Sequence, residues 1–202
     1  VMFTYGKDHT FTHRGDVEAL GAKGIAASFD FGHNALGDNT EYRGSYIREH
    51  AFTQIPMLSE LMGPLVKKAD ITGRLAGTDA SIYISENAYV DTINIMGNAQ
   101  LSGNVVSQYN QVDDDNKPRL TALTFGVKAD ENGQSTNQAD NAFKFSYDDN
   151  IVGLNNLSLQ LAGGTTQFSG HHAIYEAHVA SGASLISSST YQINPDGAFI
   201  NE

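Results

Sequence analysis

The chain of 202 residues has no cysteine and no tryptophan, and only 4 prolines and 12 Lys+Arg. Without cysteine there is no disulfide scaffold, no thiolate metal site and no cysteine nucleophile. The missing cysteines do not fix a compartment. Against the few cations stand 23 Asp+Glu, so the formal net charge is −11. A chain this acidic is a poor generic binder of DNA, RNA or anionic lipid. No uninterrupted apolar run approaches the ~20 residues that a membrane helix needs. Hydrophobic residues still make up 40% of the chain, enough for a core, which excludes wholesale disorder. Val1-Met2-Phe3-Thr4-Tyr5-Gly6 reads as strand interior rather than signal peptide, so the chain is expected to be a piece of something longer.

What is present is short alternation and weak repetition. Ile82/Ile84, Ile93/Ile95, Leu123/Phe125/Val127, Phe143/Phe145/Tyr147 and Leu157/Leu159/Leu161 alternate apolar with polar, the period of a strand. Gly77-Thr78-Asp79, Gly97-Asn98, Gly103-Asn104 and Gly163-Gly164 punctuate these runs with turn residues. Phe3-Thr4-Tyr5-Gly6 returns as Phe29-Asp30-Phe31-Gly32, and Arg14-Gly15-Asp16-Val17 as Arg43-Gly44-Ser45-Tyr46. Asn87-Ala88 returns as Asn98-Ala99, and Ile82/Ile84 as Ile93/Ile95, both at a spacing of 11.

An antiparallel sandwich gives many short strands but has no reason to repeat Asn-Ala-x-apolar. Coils of varying length do. The fold expected is therefore all-β, a right-handed parallel β-helix over residues 1–202 as a single unit. At ~25 residues per coil it would make about eight coils. Ala51, Ile55, Leu58, Met62 and Leu65 have helical spacing, with Pro56 able to start and Gly63-Pro64 able to stop a short helix or lid near 56–63. Two polar stretches, near 111–118 and 130–140, are expected to leave the coil as exposed loops. After Lys144 there is no Lys or Arg.

The stretch Leu159-Gln160-Leu161-Ala162-Gly163-Gly164-Thr165-Thr166-Gln167-Phe168-Ser169-Gly170, with Val179-Ala180-Ser181-Gly182-Ala183-Ser184-Leu185, resembles passenger domains of Gram-negative bacterial autotransporters. So do Ile93-Asn94-Ile95-Met96-Gly97-Asn98-Ala99-Gln100-Leu101-Ser102-Gly103-Asn104-Val105, the stretch 26–34, and Glu41-Tyr42-Arg43-Gly44-Ser45-Tyr46. The similarity is patchy and covers about two thirds of the chain. It implies the right-handed parallel β-helix and export across an outer membrane to the cell surface or beyond. In that family a signal peptide precedes the passenger and a β-barrel translocator follows it.

No Ser-His-Asp signature, G-x-S-x-G elbow, phosphate loop or dinucleotide fingerprint is present. Asp113-Asp114-Asp115 and Asp148-Asp149 are the acidic clusters. Adjacent carboxylates on a strand diverge, so both read as solvated loop charge, with a calcium site as the minor alternative. His171-His172 with His178 and Glu176 could suggest a metal, but adjacent histidines also diverge, and surface imidazoles are the expectation. Arg14-Gly15-Asp16 invites an integrin reading, yet its repeat partner keeps Arg-Gly and drops the Asp, which makes the Asp incidental. Tyr5, Tyr42, Tyr46, Tyr83, Tyr89, Tyr109, Tyr147, Tyr175 and Tyr191 are expected mostly as wall or edge residues.

No residue is therefore singled out as catalytic, cofactor-binding or metal-binding, and no cofactor is expected. The expected role is a non-enzymatic, surface-exposed stalk or adhesion segment. Its partners would be a host surface protein or glycan, or other copies of itself, with no nucleic acid and no membrane insertion. The alternative is the scaffold of a subtilisin-like protease or glycan-active enzyme whose site lies elsewhere.

Overall fold

The computed structural model describes residues 1–4, 6–30, 63–86, 88–113 and 115–202. Every regular element among them is a strand. The helix expected near 56–63 falls, apart from Gly63, outside the described residues.

Two long parallel ladders dominate. The first stacks β2 (His9–His13), β5 (Val66–Ile71), β7 (Val90–Ile95) and β9 (Thr121–Phe125). It continues through the second half of β13 (Ile151–Leu161) and of β15 (His171–Val179) to β18 (Phe199–Asn201). The second stacks β1 (Met2–Phe3), β4 (Ile25–Phe29), β6 (Arg74–Ile84) and β8 (Gln100–Ser107). It then takes the first half of β13 and of β15 and ends at β17 (Thr190–Ile193). β3 (Asp16–Ala19) pairs with the start of β6. Apart from this sheet lie three parallel strands, β12 (Lys144–Tyr147), β14 (Thr165–Phe168) and β16 (Ser184–Ser187), and one antiparallel hairpin, β10 (Val127–Ala129) with β11 (Ser135–Ala139).

This corrects the expected right-handed β-helix of about eight coils. Both ladders belong to one 13-stranded sheet, whose continuous path of nine strands runs β1-β4-β6-β8-β13-β9-β7-β5-β2. The physical reason lies in β6 and β13, each 11 residues long. β13 gives its first residues to β8 and its last to β9, so it joins the two arms without a break. Its bend is a register shift between Gly153 and Ser158 rather than a corner between separate strands. The result is one curled, largely parallel sheet with smaller sheets beside it. The repeat lengths are uneven too: Ile71, Ile95, Phe125, Leu161 and Val179 are successive partners.

Some recurrences do stack. Phe3 pairs with Phe29, and their rings are stacked with centroids 5.5 Å apart. Others mark equivalent turns instead. Ala88 N–H donates to Ser85 O and Ala99 N–H to Met96 O, so the alanine closes a tight turn in both places, while Asn87 lies outside the described residues. Ile82 and Ile93 are not partners: Ile82 faces Ala27 and Val105, while Ile93 faces Ala69 and Leu123.

The core follows from parity. On the first ladder Phe11, Ala69, Ile93, Leu123, Leu159, Ala177 and Phe199 form one column. His13, Ile71, Ile95, Phe125, Leu161, Val179 and Asn201 form the next inward column. The central members of both columns are fully buried. Each Ile, Leu or Phe so buried contributes roughly 1.5–3 kcal/mol against the entropy of ordering the chain. Towards the C-terminal part the filling is aromatic: Phe125 meets Phe145 and Phe168, Phe168 meets His172, His172 meets Tyr191, and Tyr191 meets Phe199.

Candidate functional site

Between the two inward columns the same strands present their other face. There the register aligns Thr12, Asp70, Asn94, Thr124, Gln160, His178 and Ile200 in one row, and Thr10, Lys68, Thr92, Ala122, Ser158 and Glu176 in the row beside it. Parallel neighbours repeat every ~4.8 Å, so this face is a polar ladder of hydroxyl, amide, carboxylate and imidazole groups at near-constant spacing. Period-two alternation forces it: a strand that sends Ile93 and Ile95 inward must send Thr92 and Asn94 outward.

The ladder has a covered part and an open part. In the covered part the Asp70 carboxylate is fully buried and has several donors. Asn94 Nδ2 donates to Oδ1 at 2.8 Å, and Ser135 N–H and Oγ donate to Oδ2 at 2.9 and 3.2 Å. Lys68 Nζ lies 3.2 Å from the same Oδ2. Ser135 opens β11, so the hairpin expected as a loop folds back across the face. In the open part Thr124, Gln160 and His178 are only half-buried. Gln160 Nε2 donates to Ser158 Oγ at 2.7 Å, which donates to Glu176 Oε1 at 2.7 Å, while His178 Nε2 lies 3.4 Å from Glu202 Oε1.

The histidines separate. His171 is exposed and bonds Thr190 Oγ1 through Nδ1. His172, expected at the surface, is buried, its ring between Phe168 and Tyr191 at centroid distances of 4.8 and 5.3 Å. Ile151 N–H donates to its Nδ1 at 3.2 Å, which leaves the proton on Nε2, facing Ser189 Oγ at 3.1 Å. In that tautomer the imidazole is a donor to Ser189, so it cannot take the hydroxyl's proton as the base of a serine nucleophile would. Burial, and secondly the neighbouring His171, lowers its pKa to about 4. Glu176 accepts from Ser158, and the carboxylate beside His178 is that of Glu202.

The carboxylates of the acidic clusters accept local hydrogen bonds, mostly from backbone. Asp149 Oδ2 accepts from Gly103 N–H at 2.7 Å, and Asp148 Oδ1 accepts from Ser169 Oγ at 2.6 Å, so the two carboxylates diverge. Asp113 Oδ1 accepts from the N–H groups of Asp115 and Lys117 and organises the turn around Asn116, whose φ is 62°. Asp114 lies outside the described residues. Among the described residues no group of three or more His, Asp or Glu is arranged to hold a metal ion.

Arg14-Gly15-Asp16 joins β2 to β3. Arg74 bridges Asp16, at 2.9 Å, and Glu18. Those two carboxylates, Glu18 foremost, hold the Arg74 pKa above its usual value. The partner Arg43-Gly44-Ser45 lies outside the described residues, as do Tyr5, Tyr42 and Tyr46. Tyr109 and Tyr147 are buried, and Tyr83, Tyr89, Tyr175 and Tyr191 are half-buried. Tyr89 donates to Leu120 O at 3.0 Å, and burial, then Asp91, pushes its pKa up to about 12.

Asp70 is not marked in the sequence because one of its partners, Ser135, lies far along the chain. The only local signal is a carboxylate set between Ala69 and Ile71. His172 did have a signal: it stands two residues before Ile174 and shares that residue's inward parity. Comparison with protein-family models, with curated proteins and with solved structures finds no match to this chain.

Proposed function

We propose that the chain is a non-enzymatic attachment segment displayed outside a bacterial cell. Its polar ladder would contact a host surface protein or glycan, or another copy of the chain. The observation that carries this reading is the in-register row Thr124–Gln160–His178, half-open on a parallel sheet. Evenly spaced hydroxyl, amide and imidazole groups suit a polar partner engaged by many weak contacts. The residue-level resemblance to autotransporter passengers supports export as the route. A cysteine-free chain also crosses the periplasm without being locked by disulfides.

The test is attachment of the labelled chain to host epithelial cells and to cells displaying the same chain. The triple variant Thr124→Ala/Gln160→Ala/His178→Ala should bind at least tenfold more weakly, with unchanged circular dichroism and thermal midpoint. Equal binding by the variant would overturn the ladder as the contact surface. Hydrolysis of casein or pectin by the purified chain would overturn the non-enzymatic reading.

A further inference from the structure

We propose that the β10–β11 hairpin is a clasp, closed over the Asp70–Asn94 part of the ladder and released as a unit when the Asp70 latch breaks. The inference rests on the proposed attachment function only for its purpose, since opening would lengthen the exposed ladder. The clasp itself stands on geometry. The hairpin leaves the sheet after β9, yet Ser135 bonds to Asp70 on β5, two strands away, about 10 Å back along the ladder. It thereby straps β5, β7 and β9 together.

What holds the strap is polar. Between 127 and 139 Val127 is the one large apolar residue, and Lys128, Asp130, Glu131, Asn132, Gln134, Asn137, Gln138 and Ala139 are exposed. Gly133 is the hairpin's one buried residue, and an element with so little buried apolar area has little local stability of its own. The latch is one carboxylate receiving donors from both sides: Asn94 and Lys68 from the sheet, Ser135 from the hairpin. The tip is shaped to dock: Gly133 has φ 78° and sits against Arg14 and Thr72. The base is pinned where Asp140 N–H donates to Gly126 O at 2.7 Å. With its base fixed, the start of β11 held by a polar latch and the tip resting on Arg14 and Thr72, the hairpin has two places to be, on the ladder or off it. Lifting it returns Asp70 to water, which solvates the carboxylate in place of Ser135.

Hydrogen exchange on the whole 202-residue chain, with no ligand present, tests this directly. Amides of 127–139 should exchange at least a hundredfold faster than those of β13 and β15. Asp70→Asn should speed the hairpin amides at least tenfold further and leave β13 and β15 unchanged. If Asp70→Asn does not fold, Ser135→Ala serves, because it keeps the carboxylate partnered by Asn94, Lys68 and the residue-135 N–H; a severalfold acceleration confined to the hairpin is expected. Exchange of the hairpin in one unit with β13 and β15 would overturn the clasp, as would acceleration spread evenly over all strands. Failure of cell attachment alongside a hairpin-specific exchange result would sink the functional reading and leave the clasp standing.

Discussion

His172 is a neutral imidazole packed among rings, with both nitrogens occupied. Protonation would place a second hydrogen on Nδ1 against the Ile151 N–H and put charge beside Phe168 and Tyr191. In the unfolded chain the ring protonates at 6.5, whereas in the folded protein it waits until about 4. The unfolded state therefore binds the extra proton first. The contribution is intact above pH 6.5, declines as pH falls towards 4, and is lost in full below that. At 1.36 kcal/mol per pKa unit the loss is up to about 3 kcal/mol. Urea unfolding at several pH values should show His172→Phe less stable than wild type at pH 7, for want of the Ile151 acceptor, but flatter between pH 6.5 and 4. Parallel pH profiles would contradict the burial of this ring. Tyr147 makes a second case. Its hydroxyl donates to Gly103 O at 2.7 Å, and burial, then Asp149, raises its pKa. Tyr147→Phe should cost about 1–2 kcal/mol by orphaning part of that carbonyl's bonding, measured as a shift in the urea midpoint at constant slope.

At the scale of the element, bends inside long strands depend on backbone that only glycine supplies. Gly103 in β8 has φ 95°, and a Cβ there would lie 2.2 Å from Gly77 O. Both its polar groups are engaged, the N–H by Asp149 and the carbonyl by Tyr147. Gly103→Ala should therefore destabilise by more than about 2 kcal/mol. Gly15→Ala, with nothing within 4 Å of its added methyl, should change stability by less than about 0.5 kcal/mol. Chemical denaturation of the two variants side by side checks the contrast.

Strand identity was legible at this scale. The alternation at Ile93/Ile95 and Leu157/Leu159/Leu161 belongs to each segment alone and matches β7 and β13. Pairing was not legible. Ile82 and Ile93 look like repeats in the sequence, but which strand lies beside which depends on how β13 divides between two neighbours. The polar stretch near 130–140 looked like a loop because its residues are hydrophilic. Its strand β11 exists through pairing with β10 and anchorage on Asp70, neither of which composition records. The candidate face was half visible: Asn94 and Gln160 flank apolar positions, but their alignment into one row is a matter of register.

For the molecule as a whole, charge governs how copies meet. A net −11 with no cation after Lys144 makes close approach of two chains repulsive at low ionic strength. Self-association through the ladder should strengthen as salt rises from about 20 to about 300 mM, because screening shortens the range of that repulsion. Light scattering across that series checks the sign, and weakening with salt would count against association by these faces. All of this depends on the outward row being a true ladder. The absence of native cysteine lets nitroxides be placed at will, at Thr124→Cys with Gln160→Cys, and at Gln160→Cys with His178→Cys. Both pairs should show strong spin–spin broadening, with separations within about 10 Å, two strand spacings. A separation beyond roughly 15 Å in either pair would contradict the in-register face and the contact surface built on it.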